Sequence, residues 1–171
     1  MRLTDNYETR RLYMDMIKSN FKEGDWMVTV RLFGVEDKEK FVSDLLNKLI
    51  RKVYPNREFR KNNLCCLKTF AVIGWTNEKG DRHSAAHILI ENVDYRNESV
   101  SSFQELVLKL FRKNRTMPAD VDVTRVWDLD GISSYVLLSQ GHDVSILNNS
   151  MRVEFDKSSP EWSLLGSSHL S

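Results

Sequence analysis

The sequence predicts an α+β domain in which a mostly antiparallel sheet carries helices packed on one face. Three observations predict it. The runs Cys65 to Trp75 and Ser84 to Ile90 have the length and composition of strands, and the polar link Thr76-Asn77-Glu78-Lys79-Gly80-Asp81 between them is of the Gly-containing kind that closes a hairpin. The segments Glu36 to Val53 and Ser99 to Lys113 repeat apolar residues at helical spacing. Shorter strand-like runs stand before the first of these helices and after the second. Strands joined partly by a hairpin and partly by helices favour an antiparallel layered architecture over a doubly wound parallel sheet.

In chain order, Tyr7 to Phe21 sets Tyr7, Leu12, Tyr13, Met16, Ile17 and Phe21 among polar residues, an amphipathic helix with an imperfect stripe that Gly24 stops. Trp26 to Phe33 alternates Trp26, Val28, Val30 and Leu32 with Met27, Thr29, Arg31 and Phe33, so one side of this strand lines a core. The helix over Glu36 to Val53 carries Phe41, Val42, Leu45, Leu46, Leu49, Ile50 and Val53. Glu36, Asp37 and Glu39 lie in its first turn, where the macrodipole favours anions, and Pro55 ends it. After the hairpin, Phe103, Leu106, Val107, Leu110 and Phe111 form the stripe of a second packed helix, broken by Thr116-Met117-Pro118. Val121 to Trp127 reads as a further strand, and Asp128-Leu129-Asp130-Gly131 as the entry to a short helix over Ile132 to Ser139. Met151 to Phe155 is a candidate edge strand. From Lys157 the chain is rich in serine, which sets a domain over 1–156 and a C-terminal tail over 157–171.

With 171 residues, 41% hydrophobic and 29% charged, the chain can bury a sizeable core in one domain and needs no second. Its apolar runs are well short of a membrane span, and its N-terminus lacks the charged-then-apolar pattern of a signal, so the expected setting is the cytosol with no membrane partner. Cys65 and Cys66, adjacent in a strand, face opposite ways, which argues against a disulfide framework or a structural zinc site and for two small core residues. The net charge of +1 is uninformative, but its distribution is not. Seven basic residues, Lys48, Arg51, Lys52, Arg57, Arg60, Lys61 and Lys68, stand against Glu58 alone between positions 48 and 68. That stretch is compatible with a phosphate backbone, and equally with a solvated helix end and loop.

The hairpin is where chemistry is to be sought. In an extended strand His83, Ala85 and His87 share one face while Ser84, Ala86 and Ile88 take the other. Downstream, Tyr135 lies on the short helix. The strand Phe70-Ala71-Val72-Ile73, a turn, the strand Arg82-His83-Ser84-Ala85-Ala86-His87-Ile88-Leu89-Ile90-Glu91, a helix with Phe103, and finally Asp130-Gly131-Ile132-Ser133-Ser134-Tyr135-Val136-Leu137-Leu138 follow one another in an order that resembles the HUH endonucleases. More narrowly, the chain resembles the replication initiator proteins of rolling-circle plasmids, phages and related mobile elements, over about Trp26 to Gly141.

The resemblance implies a ferredoxin-like antiparallel sheet, a divalent metal (Mg or Mn) on a central strand, single-stranded or hairpin DNA as partner, and a tyrosine that cuts one strand and stays attached to its 5′ end. A phenol with a pKa near ~10 is a poor nucleophile at neutral pH, so such chemistry relies on a metal to polarise the scissile phosphate. On this resemblance Tyr135 corresponds to the nucleophile and His87 to the second histidine of the His-hydrophobic-His motif. The first histidine falls on Ala85, with His83 two residues earlier, the acidic position falls near Gly74, and the lysine expected after the tyrosine is Leu138. His83 and His87 are about 13 Å apart along a regular strand, too far to grip one ion at ~2 Å bonds without a bulge.

Two function classes stay open at this stage. One is a nicking and joining enzyme, with Tyr135 as nucleophile, His87 and His83 as metal ligands and Arg51, Lys52, Arg57, Arg60 and Lys61 holding DNA. The other is a DNA-binding relative that kept the fold and lost the metal site; a small interaction protein without a nucleic-acid role is a third, weaker class.

Overall fold

A computed structural model describes residues 7–55, 67–75, 84–113, 121–138 and 143–147. The hairpin link, Cys65 and Cys66, the expected strand at 151–155 and the tail at 157–171 lie outside the described residues.

Helix α1, Tyr7–Asn20, buries Thr9, Tyr13, Met16 and Ile17, and Phe21 continues that side. The chain then reverses through Gly24, whose φ of +95° is in the left-handed region that glycine adopts at least cost. Strand β1, Trp26–Arg31, alternates as its sequence requires, with Trp26, Val28 and Val30 buried. It is shorter than its apolar pattern, because Leu32 and Phe33 enter a turn completed by Gly34 at φ +75°. Asp37 caps α2, Lys38–Val53, by accepting the Lys40 N–H at 2.9 Å, and Pro55 follows its last turn. Strands β2, Thr69–Trp75, and β3, Ala85–Ile90, pair antiparallel, as a hairpin demands.

Helix α3, Phe103–Lys113, starts from a variant of the capping box: Ser102 Oγ accepts the Glu105 N–H at 3.2 Å, and Glu105 reaches back to the Ser101 N–H at 2.7 Å. Strand β4 is Val121–Arg125 and helix α4 is Leu129–Leu138, capped by Asp128, whose carboxylate accepts the Gly131 N–H at 3.0 Å. A strand that the sequence pattern did not mark, β5, Asp143–Leu147, pairs with β2 from Ala71↔Leu147 to Trp75↔Asp143.

The five described strands run in the order β4-β1-β3-β2-β5, each antiparallel to its neighbours. The stretch β1-α2-β2-β3-α3-β4 is therefore a ferredoxin-like β-α-β-β-α-β unit. Helices α2 and α3 cover one face, packing Val42, Leu45, Leu46, Leu49, Phe103, Leu106, Val107 and Phe111 on Val28, Val30, Ala71, Ile73, Ala86 and Ile88. The other face is also covered in part. Tyr13, Met16 and Ile17 of α1 and Ile132, Val136 and Leu137 of α4 pack with Phe70, Val72 and Leu89. That second layer explains why β2 and β3 are apolar on both sides, as strands buried on both faces must be. Among the described residues no helix is long and apolar enough to cross a membrane.

Candidate functional site

Strand β3 is third in a sheet of five, so its residues have strands on either side. Ala86, Ile88 and Ile90 point to the α2/α3 core, and Ala85, His87 and Leu89 to the layer of α1 and α4. His87 is consequently only 5% exposed. Its register partners are Thr29 on β1 and Val72 on β2. The Thr29 hydroxyl lies 3.1 Å from His87 Nδ1, a hydrogen bond that joins residues 58 apart in sequence. Burial among apolar neighbours pushes the imidazole pKa down from 6.5 to about 4, so the ring is neutral at physiological pH.

Tyr135 comes to the same place from α4. That helix buries Ile132, Ser133, Val136 and Leu137 against the sheet, which leaves Tyr135 on its flank, 49% exposed. Its ring meets His87 edge to face, with centroids 5.1 Å apart and planes at 73°. The structure thus brings together Tyr135 and His87, the two residues that the resemblance singled out, and adds Thr29, which sequence patterning missed. The signal for Thr29 is weak: a polar residue on the outward side of a strand acquires a partner only once the register with β3 is known.

Among the described residues the position is not equipped as a metal centre. On the layer that carries His87, the next row of the sheet pairs Ala85 with Gly74, the two positions where the resembled family has its first histidine and its acid. Neither carries a donor atom in its side chain. Among the described residues no three His, Cys, Asp or Glu side chains come together as a metal could require. His83 lies outside the described residues. A Thr hydroxyl on Nδ1 is compatible with a ligating histidine, whose second nitrogen commonly has such a partner, but no further ligands for an ion gather beside it among the described residues. The described side chains therefore do not fit a divalent cation.

Of the basic stretch, Arg51 and Lys52 are exposed in the last turn of α2. Helix α2 packs on the face of the sheet opposite to His87 and Tyr135, so these two cations do not converge on that pair. Arg57, Arg60 and Lys61 lie outside the described residues.

A buried node fixes the start of α4. Asp25, 2% exposed, accepts the Lys22 N–H at 2.8 Å and the Asn92 N–H at 3.0 Å through its carboxylate, and the Val126 N–H at 2.8 Å through its backbone carbonyl. Arg125 stacks over the Trp26 ring at 4.3 Å and donates to the Gly24 carbonyl at 3.1 Å. These contacts anchor the chain at Arg125 and Val126, the latter three residues before the helix that carries Tyr135. Compared with family models, curated proteins and solved structures, the chain matches none.

Proposed function

We propose that this chain is a replication-initiator-like protein that binds single-stranded DNA and has given up the metal-dependent cleavage of the proteins it resembles. One observation carries the proposal: a half-exposed tyrosine on a short helix rests on the histidine of a central strand in a ferredoxin-like sheet, 5.1 Å between rings. That is the juxtaposition expected of the resembled family, and it joins two motifs far apart in the chain. Loss of cleavage is supported by the bare Ala85–Gly74 row beside His87. The cations of the 48–68 stretch, Arg51 and Lys52 with Arg57, Arg60 and Lys61, would supply the sequence-independent part of the affinity.

A second reading, a nicking and joining enzyme, is favoured by the exposure of Tyr135, because a phosphate could reach a ring that is 49% open to solvent. In that reaction the phenolic oxygen gives up its proton and forms a bond to phosphorus, the bond from phosphorus to the 3′ oxygen breaks, that oxygen takes up a proton and leaves as a 3′ hydroxyl, and the new 5′ phosphate end stays on the tyrosine. One experiment tests both. The protein is titrated into labelled single-stranded and hairpin DNA at several salt concentrations, then incubated with the same DNA and Mg²⁺ or Mn²⁺ and run on a denaturing gel. Salt-dependent binding without a covalent band is expected. A covalent band that Tyr135→Phe abolishes would establish the enzyme instead, and no binding at low salt would dismiss both.

A further inference from the structure

We infer that His87 is a positioning residue for Tyr135, held by Thr29, and not a ligand of a metal ion. Four features of the site point this way. First, the ring is enclosed: His87 is 5% exposed, between β1 and β2 and beneath Tyr135. A hydrated cation has no open approach to an imidazole so covered. Second, of the described side chains around it in the sheet, Val72, Leu89, Ala85 and Gly74 offer no oxygen or nitrogen, Arg31 across from Ala85 carries a guanidinium, which is no metal donor, and the Thr29 hydroxyl is engaged with Nδ1. An ion on one imidazole nitrogen would need further donors within about 2–2.6 Å, and these positions cannot supply them.

Third, Thr29 selects the orientation of the ring. An imidazole flanked by apolar side chains can flip about its last torsion at little cost, because its two orientations have the same shape. A hydroxyl 3.1 Å from Nδ1 distinguishes them, because only one orientation sets a nitrogen and not a carbon against it; the hydroxyl donates to or accepts from that nitrogen according to the tautomer. Fourth, the ring so held is what Tyr135 rests on. The Thr29 bond also restrains the plane of the imidazole, and an edge-to-face contact depends on that plane, so the held ring sets the tilt of the phenol. The chain of action is Thr29 to His87 to Tyr135, from β1 through β3 to α4, and its outcome is one orientation for a half-exposed tyrosine. A phenylalanine in place of His87 would fill the same space without the Thr29 bond, which accounts for an imidazole in an otherwise apolar layer.

This inference concerns the free protein and stands or falls apart from DNA binding. The test is NMR of the unliganded full chain at pH 7, observing the imidazole nitrogens of His87 and the ring protons of Tyr135 in the wild type and in Thr29→Val, which keeps the shape of the threonine and removes its hydroxyl. A single His87 ring orientation, with Nδ1 in a hydrogen bond, is expected in the wild type. In Thr29→Val the Nδ1 shift of His87 and the Tyr135 ring shifts should both move, while the backbone amides of β2 and α2 stay where they were. Wild-type Tyr135 shifts in Thr29→Val would overturn the positioning role. Mn²⁺ is then titrated into the wild type, and the His87 ring signals should keep their widths. Selective, saturable broadening of His87 by Mn²⁺ would overturn the exclusion of metal. His87→Phe offers a second variant: Tyr135 ring shifts identical to wild type there would show that any flat ring suffices, and would likewise end the role assigned to Thr29 and the imidazole.

Discussion

His87 is a neutral base buried in an apolar layer, and that condition sets a pH dependence. Its folded pKa is depressed to about 4, against an ordinary value of 6.5, by desolvation. The unfolded chain therefore binds more protons than the native one between those values, and stability rises with pH across that window. The contribution is complete above pH ~6.5 and is lost as pH falls toward ~4, to a total of roughly 3 kcal/mol. Urea denaturation of the wild type at pH 7 and pH 5 should show a loss of stability that His87→Phe does not share; equal losses in both proteins would refute the assignment. The contact with Tyr135 is smaller. An edge-to-face pair contributes about 0.5–1.5 kcal/mol beyond area burial, so a double-mutant cycle on His87→Leu and Tyr135→Leu should return a coupling in that range.

The elements that present the pair depend on short-range caps and on one long-range node. Asp128 caps α4, and Asp128→Ala should cost about 1 kcal/mol by leaving early helical N–H groups without a partner. Gly131 belongs to the same cap, since a Cβ there would collide with the Asp128 carboxylate. Asp25 does more than a cap. Its carboxylate serves two backbone donors from different loops, and hydrogen bonds to a charged acceptor contribute about 1.5–3 kcal/mol each. Asp25→Ala should accordingly lower stability by several kcal/mol, and Asp25→Asn, which retains one acceptor oxygen, by less. Thermal and urea unfolding measure both. Little or no loss in either variant would indicate that the node acts through its backbone alone.

At the scale of the molecule, the sheet separates two surfaces. Tyr135 and His87 belong to the layer of α1 and α4, and Arg51 and Lys52 to the end of α2 on the other face. If a single strand of DNA is held by the basic stretch, each phosphate neutralised contributes about −0.7 to the slope of log affinity against log salt. Replacing Arg51 and Lys52 together by alanine should then flatten the slope by roughly 1.4 and leave Tyr135 unaffected. An unchanged slope would move the DNA path away from α2. The Lys18–Asp130 pair, 2.8 Å, bridges α1 and α4 at the surface, where such pairs contribute little, so the second layer is held by its apolar contacts.

Much of the fold was legible because its signals are local. Alternation in Trp26–Arg31, the stripe of α2, the entry to α4 at Asp128 and the hairpin spacing are properties of a few neighbouring residues, and each element formed near the expected place, although Asp37, expected in the first turn of α2, is its cap. The second layer had a signal too, in the unbroken apolar runs Phe70-Ala71-Val72-Ile73 and Ile88-Leu89-Ile90, since a strand with one wet face would alternate. Strand β5 had no comparable signal; it is defined by its pairing with the edge of β2. Tyr135 and His87 were both marked by sequence order, yet neither their contact nor the Thr29 bond could be read there. Those depend on register, and a slip of one residue in β1 against β3 would turn Thr29 to the opposite face and leave His87 without its partner. What the sequence determined was which segments become strands and helices and which side of each is apolar. What only the tertiary structure decided was that the row beside His87 pairs Ala85 with Gly74, because neighbours across a sheet are chosen by the register of whole strands and not by any residue within one of them.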